Sequence, residues 1–421
     1  MLDINFVRNN PEKVKKGVES KGVDPTLVDQ LLKYYSIWTE KLKIYDELRH
    51  KRNEIAKRKE LSEEGRVLKD KIKKAEEENF KAWEAYRKTE LQIPNIPLED
   101  VPQGDETKNK VLRQIGITPE IATPKDHVEL GELLDIIDIS RATKISGTRF
   151  SYLKNEGVIL ELALVQYAME ALVKEGFTPV IPPVLIKKDI TEGLGYWHGG
   201  GNENYYFVRD FELEGDEKGQ PLDLYLIGTG EHSIVPMHMD ETLEKDELPK
   251  RYAAFSTCFR REAGSYGKDT RGILRVHQFD KVEMVQFVKP EDDQNARRKM
   301  LTITEGLVKT LGLPYQVVQL ASSDLGFPSA ETIDIETWIP SQGRYRETHS
   351  ISTTTDFQSR RLNIKYQDGA EKKFVHILNG TAFAIGRMII AILENFQQED
   401  GSVKIPEVLQ KYTGFAEIRP K

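Results

Sequence analysis

Apolar positions near the start of the chain recur at helical spacing. Asn10-Pro11-Glu12 predicts a first helix, because Asn suits an N-cap and Pro is tolerated at the first helical position. Asp24-Pro25-Thr26 opens a longer one, in which Leu27, Leu31, Tyr34, Trp38, Leu42, Tyr45, Leu48 and Ile55 fall on one stripe. Ser62-Glu63-Glu64-Gly65 interrupts it, with Gly65 able to take the positive φ of a turn. The stripe resumes at Leu68, Ile72, Ala75, Asn79, Ala82, Tyr86 and Ile93. Two such helices can bury their stripes only against each other, which predicts an antiparallel coiled-coil hairpin over about 27–93. Asn79 is the polar exception in the seam, either fixing register or simply exposed. The prolines of Gln92-Ile93-Pro94-Asn95-Ile96-Pro97 end the hairpin.

Beyond about residue 105 the pattern shortens. Val180-Ile181, Leu224–Ile227, Val282–Val288 and Thr332–Glu336 read as strands, set between helices and Gly/Pro turns. They lack regular βαβ alternation. The fold class expected is α+β, with an antiparallel sheet and helices behind a helical N-terminal arm. The division expected is 1–105 and 106–421. Neither a Rossmann fingerprint nor a P-loop is present, so a nucleotide would bind by another scheme.

Composition changes this picture in two places. Hydrophobic residues make up 38% and charged residues 31% of the 421, with no apolar run of membrane-spanning length, so a soluble protein and no membrane association are expected. The N-terminus lacks the pattern of a signal peptide, and Cys258 is the single cysteine. A cytoplasmic location is the default, with neither a disulfide nor a cysteine-based zinc site. The net charge of -7 argues against nucleic acid, but residues 49–74 carry eleven Lys or Arg against five Asp or Glu. That segment is either a phosphate contact or a solvated lysine-rich face.

The densest chemistry lies in Thr257–Gly272 and Arg275–Glu283. An arginine-rich strand runs into a glycine-rich basic loop, then into a strand bearing Phe279 and Glu283. Arginine forks bind phosphate oxygens, and glycines let backbone approach a ligand. Phe279 offers a face to a purine. The plainer reading is a surface hairpin of paired charges.

Phe259-Arg260-Arg261-Glu262, the glycine-rich loop and His277-Gln278-Phe279 resemble motif 2 of the class II aminoacyl-tRNA synthetases, over about 251–287. The surrounding residues are similar to those of the seryl-tRNA synthetase family. Gly176–Pro183 resembles motif 1 (about 165–185), and Leu378–Arg387 resembles motif 3 (about 375–396). Thr229-Gly230-Glu231 resembles the family's Thr-x-Glu serine loop, and Arg346–Ser350 with Thr355–Gln358 its ATP-side strand. The helical hairpin resembles its tRNA-binding arm.

The resemblance implies serine activation by ATP, then transfer to tRNA(Ser) and generally also tRNA(Sec). It implies ATP as substrate, magnesium, no zinc, and a homodimer through motif 1. Arg260 would hold the α-phosphate and the serine carboxylate, and Glu262 the adenine amino group. Phe279 would stack under adenine, with Arg387 on the other face. Arg275, Val276, Thr348 and His349 would complete the ATP site. Glu347 and Ser350 would ligate magnesium. Thr229, Glu231, Glu283 and Thr381 would surround L-serine. One positively charged cleft is expected to hold the two anionic reactants together. The chain departs from the family's pattern at His349, Ile351, Thr353 and Thr354. Two other readings are a ligase that charges a carrier protein, which should lack the basic hairpin, and a coiled-coil interaction protein, which has no need of Arg260, Arg275 and Arg387.

Overall fold

The computed structural model describes residues 1–57, 63–196, 203–209, 223–263 and 271–421. The chain divides into two compact units, Met1–Ile96 and Pro97–Lys421.

In the first unit, α1 (Ile4–Asn9) and α2 (Pro11–Ser20) precede two long helices, α3 (Thr26–Lys57) and α4 (Glu63–Leu91). Asp24 opens α3 by accepting from the Thr26 amide at 2.9 Å. The predicted stripe is the seam. Leu31, Leu68, Ile72, Ala75 and Tyr86 are buried, and Trp38 stacks on Tyr86 with centroids 5.2 Å apart. Lys41 meets Glu78 at 2.8 Å and Tyr45 donates to Glu76 at 3.2 Å. One residue number rises as its partner's falls, as antiparallel helices require. Asn79 is half-buried, and its Oδ1 has no hydrogen-bond partner among the described residues.

Two expectations change here. Gly65 lies inside α4, which begins at Glu63, and Ser62 of the expected turn lies outside the described residues. Helix α1 was not foreseen. Its six residues are too few for periodicity, and Asp3 caps it by accepting from the Asn5 and Phe6 amides.

The second unit is built on an eight-stranded sheet: β1 (Lys110–Ile115), β2 (Thr178–Val180), β3 (Lys250–Phe259), β4 (Gln278–Val288), β5 (Tyr315–Gln319), β6 (Glu331–Ile339), β7 (Arg344–Thr355) and β8 (His376–Ala384). The spatial order is β1-β5-β6-β7-β8-β4-β3-β2, antiparallel throughout except for the β2·β3 pair. The helices that matter below are α5 (His127–Leu133), α6 (Glu156–Lys174), α7 (Glu231–Ile234), α8 (Asp293–Thr310), α9 (Phe357–Arg361) and α10 (Ile385–Asn395).

Strand periodicity sorts the two faces of the sheet. Val282 and Met284 of β4, Ile335 of β6, Ile351 of β7 and Leu378 of β8 enter the main core. Leu160 and Leu164 of α6, Met300 and Leu307 of α8, and Ile389 and Leu393 of α10 pack into the same core. The intervening polar residues face the other way. Among the described residues no helix is long and apolar enough to cross a membrane, and no group of three or more His, Cys, Asp or Glu is placed to hold a metal ion.

Candidate active site

Two adjoining cavities open on the polar face, of about 610 and 180 Å³. Lys281 and Glu283 of β4 line the larger one, and Phe279, two residues earlier, lines the smaller. That is the period of two expected of a strand.

One break of register in β7 and one in β8 shape the site. In β7, Glu336 of β6 pairs with Glu347, but Ile335 pairs with His349, so Thr348 is an extra residue. Residues three apart on a regular strand face opposite sides. The bulge cancels that, and Glu347 and Ser350 both line the larger cavity. In β8 the register skips Ala382, which leaves Thr381 and Ala384 both lining the smaller cavity.

The bulge also decides the fate of His349. It is fully buried, 2.8 Å from the Thr348 hydroxyl and 5.8 Å from Phe383 between ring centroids. Burial pushes its pKa down to about 3, so the ring is neutral. Its side chain reaches neither cavity, unlike every other residue predicted for the site. Thr348 lines the smaller cavity, with its hydroxyl 2.8 Å from that of Thr337.

The floor of the larger cavity is a carboxylate cluster. Lys281 Nζ sits 2.5 Å from Glu283, and the Thr381 hydroxyl donates to the same carboxylate at 3.2 Å. Opposite, Glu231 of α7 is buried and accepts from the Tyr196 hydroxyl and from Gln358 Nε2 of α9, both at 2.9 Å. Burial raises its pKa from 4.5 to about 7, against the pull of the Gln358 hydrogen bond and with a further push from Glu283. The Thr229–Glu231 loop is tight. A Cβ on Gly230 would come within 3.1 Å of the Ala254 Cβ and 3.4 Å of the Glu283 Cβ.

The cations of the cleft are interleaved with the carboxylates expected beside them. Arg275 donates to Glu262 at 2.8 Å, and Arg387 meets the Glu347 carboxylate at 3.1 Å. Arg260 makes no ion pair among the described residues. Its Nε donates to the Gly228 carbonyl at 3.0 Å, and its guanidinium lies 5.3 Å over the Phe279 ring. Just beyond it Glu262 has a φ of 52°, a left-handed turn where β3 leaves the sheet. The glycine-rich loop that follows, 264–270, lies outside the described residues.

Asp334 of β6 stands opposite Ser350. Burial, and then the charge of Glu347, push its carboxyl well above the usual range, and its Oδ1 has no partner among the described residues. For Glu347 itself desolvation acts upward, but the charge and hydrogen bond of Arg387, together with the charges of Arg260 and Lys281, hold the carboxyl low. Carboxylate and hydroxyl oxygens with an unsatisfied buried acceptor form a donor set suited to magnesium.

Known proteins match this arrangement along its whole length. Residues 1–97 match the seryl-tRNA synthetase N-terminal domain, and 211–396 match the tRNA synthetase class II core domain (G, H, P, S and T). A serine--tRNA ligase of Streptomyces avermitilis is 42% identical over 99% of both chains. The chain belongs to the seryl-tRNA synthetase family. A member from Pyrococcus furiosus is 42% identical over 100% of this chain and 98% of its own. The crystal structure of the Pyrococcus horikoshii seryl-tRNA synthetase, complexed with ATP, superposes with a TM-score of 0.90 at 40% identity, covering both chains fully.

The cavity residues that sequence reasoning missed in this family member include Lys281, Asn379, Asp334 and Tyr196. Lys281 could have been found, since it alternates with Phe279 and Glu283. Asp334 sits on the polar side of the alternating run Thr332–Glu336, between Ile333 and Ile335, and was also visible. Tyr196 reaches the site only through the tertiary fold.

Proposed function

We propose that the chain activates L-serine with ATP and transfers it to the 3′ end of tRNA(Ser). The observation that carries this reading is the adjacency of the two cavities, one lined by a buried carboxylate cluster and the other by Phe279, Val276 and Arg387. An ammonium group suits Glu231 and Glu283, and the serine hydroxyl can pair with Thr381 or Glu283. Alanine would leave those groups unpaired at about 1–3 kcal/mol each. A purine suits the space beside Phe279, with Glu262 receiving its amino group and Thr348 and the Val276 backbone closing the edge.

Arg260 lies between the two spaces and lines both. Serine carboxylate and ATP phosphates repel in water, and a guanidinium at the junction offsets that repulsion. A serine carboxylate oxygen bonds to the α-phosphorus as the bond to the bridging oxygen breaks, and pyrophosphate leaves. Glu347, Ser350 and Asp334 would hold magnesium. Bound there, the ion would neutralise phosphate charge.

The exposed apolar face of α6, with Ile159 40% and Leu162 57% accessible, and Ile181 at 82%, supports a homodimer through motif 1. The basic residues of the hairpin support its use as the tRNA-binding arm, with tRNA(Sec) as a second substrate. Helices of about 30 residues at about 1.5 Å each reach roughly 45 Å, suited to backbone and shape recognition. The test is ATP–pyrophosphate exchange with each of the twenty amino acids. Serine should support exchange and threonine, which adds one methyl, should be the weak second. Exchange with a different amino acid, or with none, overturns the proposal.

A further inference from the structure

His127 opens α5, far in sequence from every residue assigned above, yet it touches both arms of the ATP side. It is 5% accessible. Its Nε2 accepts from the Ile273 amide at 3.2 Å, so that nitrogen must be bare. Its Nδ1 lies 3.1 Å from Glu394 of α10, which is fully buried, so the ring proton points there. Glu394 also accepts from the His127 amide at 3.0 Å and the Ser341 amide at 3.1 Å.

The backbone comes unusually close to this ring. A Cβ on Gly272 would sit 1.9 Å from His127 Nε2, and the glycine has a φ of 80°. Only glycine permits both the turn and the approach. Arg271, next to it, pairs with Asp126 at 3.2 Å, a second and more exposed tether. Immediately afterwards Ile273, Leu274, Arg275 and Val276 form a wall of the smaller cavity. On α10, Arg387 lines the same cavity and Glu394 follows seven residues later, two turns along the same helix face.

We propose that His127 is a positioning residue for ATP. It clamps the trailing end of the motif 2 loop to the motif 3 helix, so that two walls of the adenine-side cavity stand at a fixed separation before ATP enters. The inference rests on the proposed function for its ligand, while its structural part stands alone. A neutral imidazole serves because it donates to a carboxylate and accepts from an amide at once. No aliphatic side chain does both.

Two amide substitutions separate these roles. His127→Asn places a donor near the Nδ1 position and removes the acceptor for Ile273. His127→Gln places an acceptor near the Nε2 position. In pyrophosphate exchange, His127→Asn should raise the ATP KM about tenfold, the order expected for an unpaired buried amide, with the serine KM near wild type. His127→Gln should recover most of the loss. Equal effects of the two variants, a parallel rise in both KM values, or no change would overturn the clamp. Amide hydrogen exchange without substrates provides a readout that does not need activity. Exchange across 271–276 should quicken in His127→Asn and stay near wild type in His127→Gln, with the strands of the sheet unchanged. Equal protection of 271–276 in all three proteins refutes it. A wild type that shows no serine-dependent exchange but the predicted protection pattern refutes the proposed function and keeps the clamp.

Discussion

Replacing Glu231 by Gln should make the free protein more stable and a worse enzyme. Glu231 is 3% accessible, and its burial raises the pKa from 4.5 to about 7. Between those values the folded chain binds more protons than the unfolded chain, so stability falls as pH rises through that window and is level above it. The ionised carboxylate therefore costs the empty fold about 3 kcal/mol at pH 8, and nothing below about pH 4. Gln keeps one oxygen to accept from Tyr196 and Gln358, and carries no charge. Denaturant unfolding of both proteins at pH 4.5 and pH 8 checks this. The variant should gain stability at pH 8 and lose the advantage at pH 4.5. The same substitution removes the partner proposed for the serine ammonium and should raise the serine KM by about 10- to 100-fold. In the wild type, the serine KM should rise as pH falls below about 7, when Glu231 is protonated. A variant no more stable than the wild type at pH 8, with an unchanged serine KM, would refute the reasoning.

Further outcomes follow from the same geometry. Arg260→Ala should lower serine-dependent pyrophosphate exchange by about 10²- to 10³-fold, and near-normal exchange would contradict its place between the reactants. Gly230→Ala forces a Cβ to 3.1 Å from Ala254 and 3.4 Å from Glu283. It should raise the serine KM with little effect on that for ATP, as steady-state kinetics would show. Deleting residues 40–88 should abolish aminoacylation of tRNA while exchange survives. Loss of both together would deny the arm a separate role. Binding of tRNA to the intact protein should weaken steeply with added salt, measured by filter binding, because the proposed contacts are to phosphates.

Local patterns made the arm legible. Its stripe repeats over two long helices, and Trp38, Leu68, Ile72 and Tyr86 could be assigned to the seam without knowing what lay opposite. Strand alternation could have done the same for Lys281, which was missed beside Glu283, against Val282 and Met284. Parity failed in β7, where the bulge at Thr348 turns His349 into the core and brings Glu347 and Ser350 to one side. A bulge is a property of two paired strands, and one strand's residues do not announce it. The partners of Glu231 were hidden for a similar reason. Gln358 arrives from α9 and Tyr196 from a segment before α7, and only the tertiary fold places them on one carboxylate. His127 bore no mark in sequence beyond a helix start. Its meaning comes from Gly272 and Glu394, which flank it in space.

The most direct test is a crystal structure with a non-hydrolysable seryl-adenylate analogue. The account predicts one ligand spanning both cavities, with its ammonium at Glu231, its linking group within hydrogen-bond reach of Arg260, and its adenine between Phe279 and Arg387. An analogue bound outside these cavities, or with Arg260 turned away from the linking group, would contradict it.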